Sequence, residues 1–241
     1  MSGAGKEHRF FAAAYDRVMA SAEAAGLADR RRDLLSDATG RVLEVGGGTG
    51  HNLPYYAAAS EVVIIEPDPA MVRRLTPKLS TCPVPARVVT AGIDDPDLAD
   101  SGIEDEGFDT IVCTLVLCTV PDPGEAARSL HRLLRPDGRL LFLEHVVASG
   151  RVRRFAQRAV NPLWGVMAAG CHLDRNPVET LWQEGFMVGN YEWVQLPLGP
   201  LAGPGVVGRA TRRQAPPLGR GGAASTASTV STASAATGAG A

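Results

Sequence analysis

The chain has 241 residues, of which 45% are hydrophobic, 21% are charged and 5% are aromatic, and its formal net charge is -2. This length and apolar content suffice for one sizeable core. The nearly neutral charge and the few aromatic residues argue against a nucleic-acid-binding protein, which needs a basic surface or a base-stacking platform. The longest nearly uncharged apolar run, residues 110 to 120, is too short to cross a bilayer, and no secretory signal is visible, so we expect a cytoplasmic protein.

The chain begins with a segment that favours helices. Residues 1 to 8 are predicted to be a flexible N-terminus, and the folded domain is predicted to span residues 9 to 212. Residues 9 to 38 are alanine-rich, with Gly26 as the expected break between two helices.

Five short apolar runs then alternate with segments that can hold helices. The runs are RVLEVG, EVVIIE, ARVVTAG, FDTIVCT and GRLLFLEHV, each bounded by Gly, Pro or Asp. The clearest helix precedes the last run, where Asp122 can cap it and Pro136 with Gly138 can stop it. Strands that alternate with helices in this way predict a parallel sheet covered on both faces.

The alternation of predicted strands and helices ends after the fifth apolar run. Residues from about 150 to 185 predict a helical cap, and the strand-like runs MVGNYEWVQLPL and GVVGRAT follow it. The predicted fold is therefore α/β: a Rossmann-like doubly wound sheet of about seven strands, mostly parallel with an antiparallel last strand. Residues 213 to 241, rich in Ser, Thr, Ala and Gly, contain almost no large apolar side chain and predict a disordered tail.

A glycine-rich turn follows the first predicted strand. Gly46, Gly48 and Gly50 come directly after RVLEV, and Glu66 closes the second strand. Ligands of open parallel sheets bind outside the carboxyl ends of the strands, where a glycine turn allows close approach to the backbone. A carboxylate at this place can accept hydrogen bonds from both hydroxyls of a ribose. The turn and the acid together predict an adenosine-containing cofactor.

The spacing of the turn distinguishes two such cofactors. A dinucleotide turn typically reads GxGxxG, whereas this turn reads GxGxG and has His51 where the third dinucleotide glycine would fall. NAD-dependent hydride transfer is therefore the weaker enzymatic alternative. Glu44 is a charged residue inside the apolar first strand and needs a partner. We expect it near the ammonium group of the ligand or the N–H groups of the turn.

With these residues in place, the chain resembles the class I S-adenosylmethionine-dependent methyltransferases. LEVGGGTG and IIEPDPAMVRRL resemble the first two motifs of that family, FDTIVCTLVLCTV and LLRPDGRLLFLEHV resemble its fourth and fifth strand blocks, and the resemblance covers roughly residues 10 to 212. CTLVLCTV, LEHV and NPLW…GCHLDRNPVETLWQEGF are similar to the methyltransferase-like branch that includes alkyl thiol S-methyltransferases. Those relatives carry an apolar N-terminal membrane anchor, and the first residues of this sequence do not resemble one.

The resemblance implies S-adenosyl-L-methionine as cofactor and assigns its contacts. Gly46, Gly48 and Gly50 would hold the methionine part, and Glu66 the ribose. The remaining contacts implied are Pro67, Asp68 and Ile93 or Asp94 around adenine, and Cys113, Thr114 and Leu115 beneath the sulfonium. Cys113 is equally suited to be a small core residue.

The implied reaction is metal-independent methyl transfer to a small molecule. An alkyl thiol is the favoured acceptor, because a pKa of about 8.5 leaves some thiolate at neutral pH. His145 is the candidate general base or acceptor-orienting residue, with a purely structural role as the alternative. O-, N- or C-methylation of a small metabolite or a phospholipid head group stays open, as does a non-catalytic cofactor-binding module. No obligate protein partner is evident.

Two further groups of residues complete the predictions. The four cysteines form no CxxC pair or zinc-like spacing with histidine, so buried, reduced thiols and no metal site are predicted. The helical cap would form the acceptor wall, with ordinary core packing as the alternative for its apolar residues, which are Phe155, Leu163, Trp164, Met167 and Trp182. A weak contact with an anionic membrane surface, or else a solvated helix face, is predicted for the basic patch of Arg151, Arg153, Arg154 and Arg158.

Overall fold

The computed structural model describes residues 9 to 213, so the predicted N-terminus and all of the predicted tail except Arg213 lie outside the described residues. The strands are Gly40–Val45 (β1), Ala59–Ile65 (β2), Ala86–Val89 (β3), Phe108–Thr114 (β4), Leu134–His145 (β5), Phe186–Gln195 (β6) and Pro204–Arg212 (β7). The α-helices are Arg9–Ala22 (α1), Ala28–Leu35 (α2), Pro69–Leu75 (α3), Pro123–Leu133 (α4), Arg151–Met167 (α5), Pro177–Gln183 (α6) and Gly199–Ala202 (α7).

The strands form a single sheet in the order β3-β2-β1-β4-β5-β7-β6. The first five are mutually parallel, and β7 lies antiparallel to both β5 and β6. The predicted doubly wound sheet with an antiparallel last strand is thereby confirmed. The strand order reverses between β1 and β4, and such a switch point opens a crevice at the carboxyl ends of the strands.

Apolar side chains cover both faces of the sheet. Leu43 and Val45 of β1 pack on one face, in the cluster that includes Leu130 of α4 and Leu181 of α6. Val42 points to the other face, toward the cluster that contains Leu35 of α2. Successive strand residues alternate between faces, so a parallel strand buried on both sides reads as a continuous apolar run.

The boundaries differ from the predicted ones at two places. β5 begins at Leu134, ahead of Pro136 and Gly138, because Leu134 already pairs with Phe108 of β4 before the register shifts. Arg213, predicted to open the tail, donates its backbone N–H to the Gly185 carbonyl.

The N-terminal helices break where the sequence predicts. Gly26 has φ +109, which turns the chain between α1 and α2, and a side chain added there would meet no atom of the described part of the chain within 4 Å, its chain neighbours left aside. This turn allows α1 to reach the carboxyl edge of the sheet while α2 packs on its face.

Helix α5 is the most exposed of the long helices. Val152, Phe155 and Val166 are 75–85% exposed. Four of the predicted acceptor-wall residues are also largely exposed, and the acceptor wall remains a prediction; they are Phe155, Leu163, Met167 and Trp182. Within residues 9 to 213, no helix combines the length and apolar character that crossing a bilayer would require.

Candidate cofactor site and its surroundings

The glycine turn lies at the switch point, directly after β1. The N–H groups of Gly46 and Gly47 both donate to the Ile65 carbonyl at the end of β2, at 2.9 and 3.3 Å. Gly46 has φ +68, and a Cβ there would lie 2.4 Å from Cγ2 of Val116 in the loop after β4. Glycine at this position therefore satisfies both a left-handed backbone and a tight approach between two loops.

Glu66 follows β2 and faces the same turn. Its Oε2 accepts from the Gly48 N–H at 2.8 Å, and its Oε1 accepts from the Asp68 N–H at 2.9 Å. Burial raises the pKa of this carboxyl, and the two backbone N–H groups oppose that shift. Each oxygen retains a lone pair, because a carboxylate has about four acceptor sites. The geometry brings Glu66 and the turn together as the sequence predicts.

Helix α1 covers the turn, and this contact was not predicted from the sequence. The Tyr15 ring is the nearest group to a Cβ built on Gly48, at 3.8 Å, and burial raises the pKa of its phenol to about 12. Its O–H therefore remains a hydrogen-bond donor at neutral pH. Asp16 accepts from the Thr49 hydroxyl within the turn, and Lys78 donates to it at 3.3 Å. Nothing in the sequence distinguishes Tyr15 and Asp16 from residues on an ordinary polar helix face.

Glu44 belongs to a buried polar network beneath the turn. Its Oε1 accepts from Asn52 Nδ2 at 2.9 Å, and that nitrogen also donates to Thr114 Oγ1. Arg31 of α2 donates to Asn52 and Thr114 at 2.9 and 3.1 Å. Burial raises the pKa of Glu44 to about 7, and the hydrogen bond from Asn52 and the charge of Arg31 oppose this shift. The turn is thus not the partner of Glu44, since the Gly48 N–H bonds Glu66; the ammonium contact stays a prediction.

The residues predicted around adenine lie at the ends of β2 and β3. Asp68 caps α3 by accepting from the Ala70 N–H at 2.7 Å, directly after Pro67. Ile93 is buried in the core, whereas Asp94 is exposed at the carboxyl edge. The Glu66 N–H donates to the Val89 carbonyl, which brings these loops side by side. Adenine contacts remain predictions for all four.

The predicted sulfonium-side residues point in different directions. Cys113 is fully buried in the core, the environment of the structural alternative. Thr114 joins the Arg31 network, and Leu115 adopts φ +58, a left-handed conformation that is strained for a residue with a side chain. Glu144 of β5 holds the following loop, because its Oε1 accepts from Val116 and Leu117 N–H groups at 2.9 and 3.0 Å.

His145, the last residue of β5, contacts sulfur. Its Nε2 lies 2.8 Å from Cys171 Sγ, and that sulfur lies 3.7 Å from Cys118 Sγ. Hydrogen bonding with Cys118 and with His145 lowers the pKa of Cys171 to about 4 despite its burial. Burial opposes a charge on His145, yet the Cys171 sulfur raises the pKa of the ring above its usual value. The predicted base is thus engaged with Cys171, which in turn contacts Cys118.

The geometry fits the expected cofactor. The buried carboxylate of Glu66 retains hydrogen-bonding capacity beside a glycine turn, and among residues 9 to 213 only the Tyr15 side chain comes within 4 Å of a Cβ built on Gly48, its chain neighbours left aside. A ribose with two hydroxyl donors and an adjoining amino-acid portion match these features.

Comparisons with known proteins give a consistent answer. Residues 19–184 match the family described as "Methyltransferase domain". The chain is 32% identical over 176 residues to thiol S-methyltransferase TMT1B of Rattus norvegicus, covering 71% of this chain and 70% of that protein. It is 31% identical over 199 residues to thiol S-methyltransferase TMT1A of Homo sapiens, covering 77% and 80%. The fold matches the N-methyltransferase NodS from Bradyrhizobium japonicum WM9, solved with S-adenosyl-L-homocysteine, with a TM-score of 0.58 at 19% identity over 77% of this chain and 87% of that one.

Proposed function

Because the chain belongs to the class I S-adenosylmethionine-dependent methyltransferases, we propose that it methylates the sulfur of a small alkyl thiol. S-adenosyl-L-methionine is its cofactor, and methyl transfer is its reaction. The observation that carries the choice of acceptor is the alignment with two thiol S-methyltransferases over 70% or more of each protein.

When bound, the cofactor would supply an electrophilic methyl carbon for attack by the acceptor sulfur, with S-adenosyl-L-homocysteine as the leaving group. We assign Glu66 to the ribose hydroxyls and the glycine turn to the methionine part. Tyr15 and Asp16 of α1 would close over that part and limit the access of water. Positioning a nucleophile in line at roughly 3–3.5 Å can lower the barrier by about 7–11 kcal/mol, so orientation and water exclusion are the main tasks of these residues.

The acceptor must lose its proton before or during transfer. The contact with Cys171 raises the pKa of His145, which disfavours the neutral ring that a base role would require. A thiol needs little help, because its own pKa of about 8.5 leaves a few per cent thiolate at neutral pH. We therefore propose direct attack by the acceptor thiolate.

The test measures transfer of labelled methyl from S-adenosyl-L-methionine to alkyl thiols, phenols, amines and phosphatidylethanolamine. Labelled thioether is the expected product. Glu66→Ala should raise the KM for the cofactor about 10- to 100-fold, because charge-assisted hydrogen bonds contribute about 1.5–3 kcal/mol each. Glu61→Ala is the matched control, since Glu61 lies at the other end of β2 and pairs with Arg41 at the surface.

The outcomes separate the remaining acceptors. Label on oxygen, nitrogen, carbon or lipid would overturn the thiol and leave the methyltransferase assignment intact. Cofactor binding by calorimetry without transfer to any acceptor of the panel would instead favour a non-catalytic binding module.

We also propose a weak contact between α5 and an anionic membrane surface. Val152, Phe155 and Val166 lie on one exposed helical face, and Arg151 and Arg158 flank it. Apolar side chains beside arginines are suited to the boundary between head groups and acyl chains. This contact and a cytoplasmic location remain predictions.

Vesicle co-sedimentation tests this contact. The protein should sediment with phosphatidylserine-containing vesicles at low salt and be released at high salt. Phe155→Glu should abolish sedimentation, whereas Met187→Glu, at an exposed apolar site on β6, should not. A protein that stays in the supernatant with these vesicles at low salt would refute the proposal.

A further inference from the structure

Three soft ligand atoms converge at the carboxyl edge of the sheet. Cys118 lies in the loop after β4, His145 ends β5, and Cys171 follows α5. Their Sγ, Nε2 and Sγ atoms all lie within 4.8 Å of one another, and each residue is at most 8% exposed. Separations of 27 and 26 positions in the chain hide this cluster from any search for zinc-like spacing.

The distances suit a tetrahedral site with thiolate and imidazole ligands. Zn²⁺ lies about 2.3 Å from sulfur and about 2.0–2.1 Å from nitrogen, so two thiolates on one ion are separated by about 3.8 Å. The two sulfurs here lie 3.7 Å apart. The His145 Nε2 to Cys171 Sγ distance is 2.8 Å, and it needs to open by less than about 1 Å to admit an ion.

The segments that carry the ligands are fastened to each other. The His172 N–H donates to the Cys118 carbonyl at 2.9 Å. Arg175 donates to the carbonyls of Leu117 and Val120, on both sides of Cys118, at 3.1 and 2.6 Å. These bonds join the loop after β4 to the segment after α5 without using a ligand atom, so they hold the two cysteines in place before any ion binds.

The ligand set also indicates which ion would bind. Two sulfurs and one imidazole select a thiophilic cation, whereas Mg²⁺ and Ca²⁺ require oxygen ligands. Glu144, the buried carboxylate next to His145 in the chain, uses Oε1 for the Val116 and Leu117 N–H groups and is not one of the three clustered ligands. We propose that Cys118, His145 and Cys171 form a three-ligand site for a thiophilic cation, for which Zn²⁺ is the test ion. Such sites leave a fourth position for water or another ligand. This site does not depend on the proposed acceptor.

The experiment loads the metal-free full-length protein with Co²⁺ and then with Zn²⁺. One equivalent of Co²⁺ should produce sulfur-to-cobalt absorption in the near ultraviolet, and Zn²⁺ should remove it. Cys171→Ser and Cys118→Ser should each weaken Zn²⁺ binding by more than the roughly 10- to 100-fold effect of losing a supporting residue. Cys82→Ser is the control, because Cys82 is a partly exposed thiol outside the cluster.

X-ray absorption on the Zn²⁺-loaded unmodified protein keeps the test decisive where a variant fails to fold. Two sulfur neighbours at about 2.3 Å and one nitrogen at about 2.0 Å are expected. A shell without sulfur, binding weaker than a chelating buffer, or unchanged binding in a folded Cys171→Ser variant would each overturn the site.

Discussion

At the scale of single residues, the site depends on close approach between two loops. Gly46 faces Val116 so closely that even a methyl group has no room, and Leu115 holds a left-handed backbone conformation beside them. Glu144 fixes the same loop through two backbone N–H groups. The carboxyl ends of β1 and β4 are therefore held in one relative position by contacts that tolerate little change in volume.

Gly46→Ala tests this close approach. The substitution adds left-handed strain and overpacking, so we expect the free energy of unfolding to fall by about 2–5 kcal/mol. Val116→Ala in the Gly46→Ala background should relieve the overpacking and leave the left-handed strain. Urea denaturation of both single variants and the double variant measures the coupling. Purely additive effects would show that the two residues do not press on each other.

At the scale of elements, the break between α1 and α2 decides what covers the glycine turn. α1 contributes Tyr15 and Asp16 to the turn, and α2 contributes Arg31 to the network under it. A continuous helix could not place these residues both over the edge and against the face of the sheet. The positive φ of Gly26 thus helps to place these residues, although a side chain added at Gly26 would meet no other described residue within 4 Å.

Gly26→Ala should cost about 1–2 kcal/mol of stability through the left-handed conformation alone, since the site has open space. Gly150→Ala provides the comparison. A Cβ built on Gly150 also meets no other described residue within 4 Å, but the φ of Gly150 is -76, which alanine adopts without strain. The substitution lowers the entropy of the unfolded chain, and this gain offsets the slightly poorer capping of α5 by alanine. Thermal denaturation of both variants should show a lower Tm for Gly26→Ala only. Equal melting temperatures would argue that the break relaxes freely.

The same elements show which features of the fold and the site could be predicted from the sequence. The strands, the turn and Glu66 were predictable because local periodicity and short motifs carry them. Tyr15 over Gly48, and Arg31 on Asn52 and Thr114, were not, because each contact joins residues far apart in the chain. The cysteine–histidine cluster could not be predicted from the sequence for the same reason. Only tertiary packing brings such residues together.

At the scale of the whole molecule, buried carboxyls give the fold a dependence on pH. Burial raises the pKa values of both Glu44 and Glu144 to about 7, and hydrogen bonds oppose the shift in each case. The folded protein therefore holds these protons more tightly than the unfolded chain. The stability from each group is fully present below the unfolded pKa near 4.5 and is lost as the pH rises through about 7.

We accordingly expect the free energy of unfolding attributable to Glu44 to decrease between pH 5 and pH 8, by at most about 3 kcal/mol. Glu44→Gln should reduce the slope of the pH profile and leave the part due to Glu144, because the amide keeps the shape of the side chain and does not titrate. Glu61→Gln, at a partly exposed site, should leave the profile unchanged. Urea denaturation across this pH range decides the matter, and parallel profiles for the wild type and Glu44→Gln would contradict the assignment.

The position of β7 has a consequence for how the protein is made. β7 follows β6 in the chain but lies between β5 and β6 in the sheet. During synthesis β6 leaves the ribosome first, and its place beside the earlier strands stays separated by an unfilled gap. A nascent chain that ends in the loop before β7 would carry two open strand edges, and such edges promote aggregation and chaperone binding. Pairing of residues 204 to 212 with β5 and β6 closes both edges, so we expect this pairing to end the exposure of the nascent sheet.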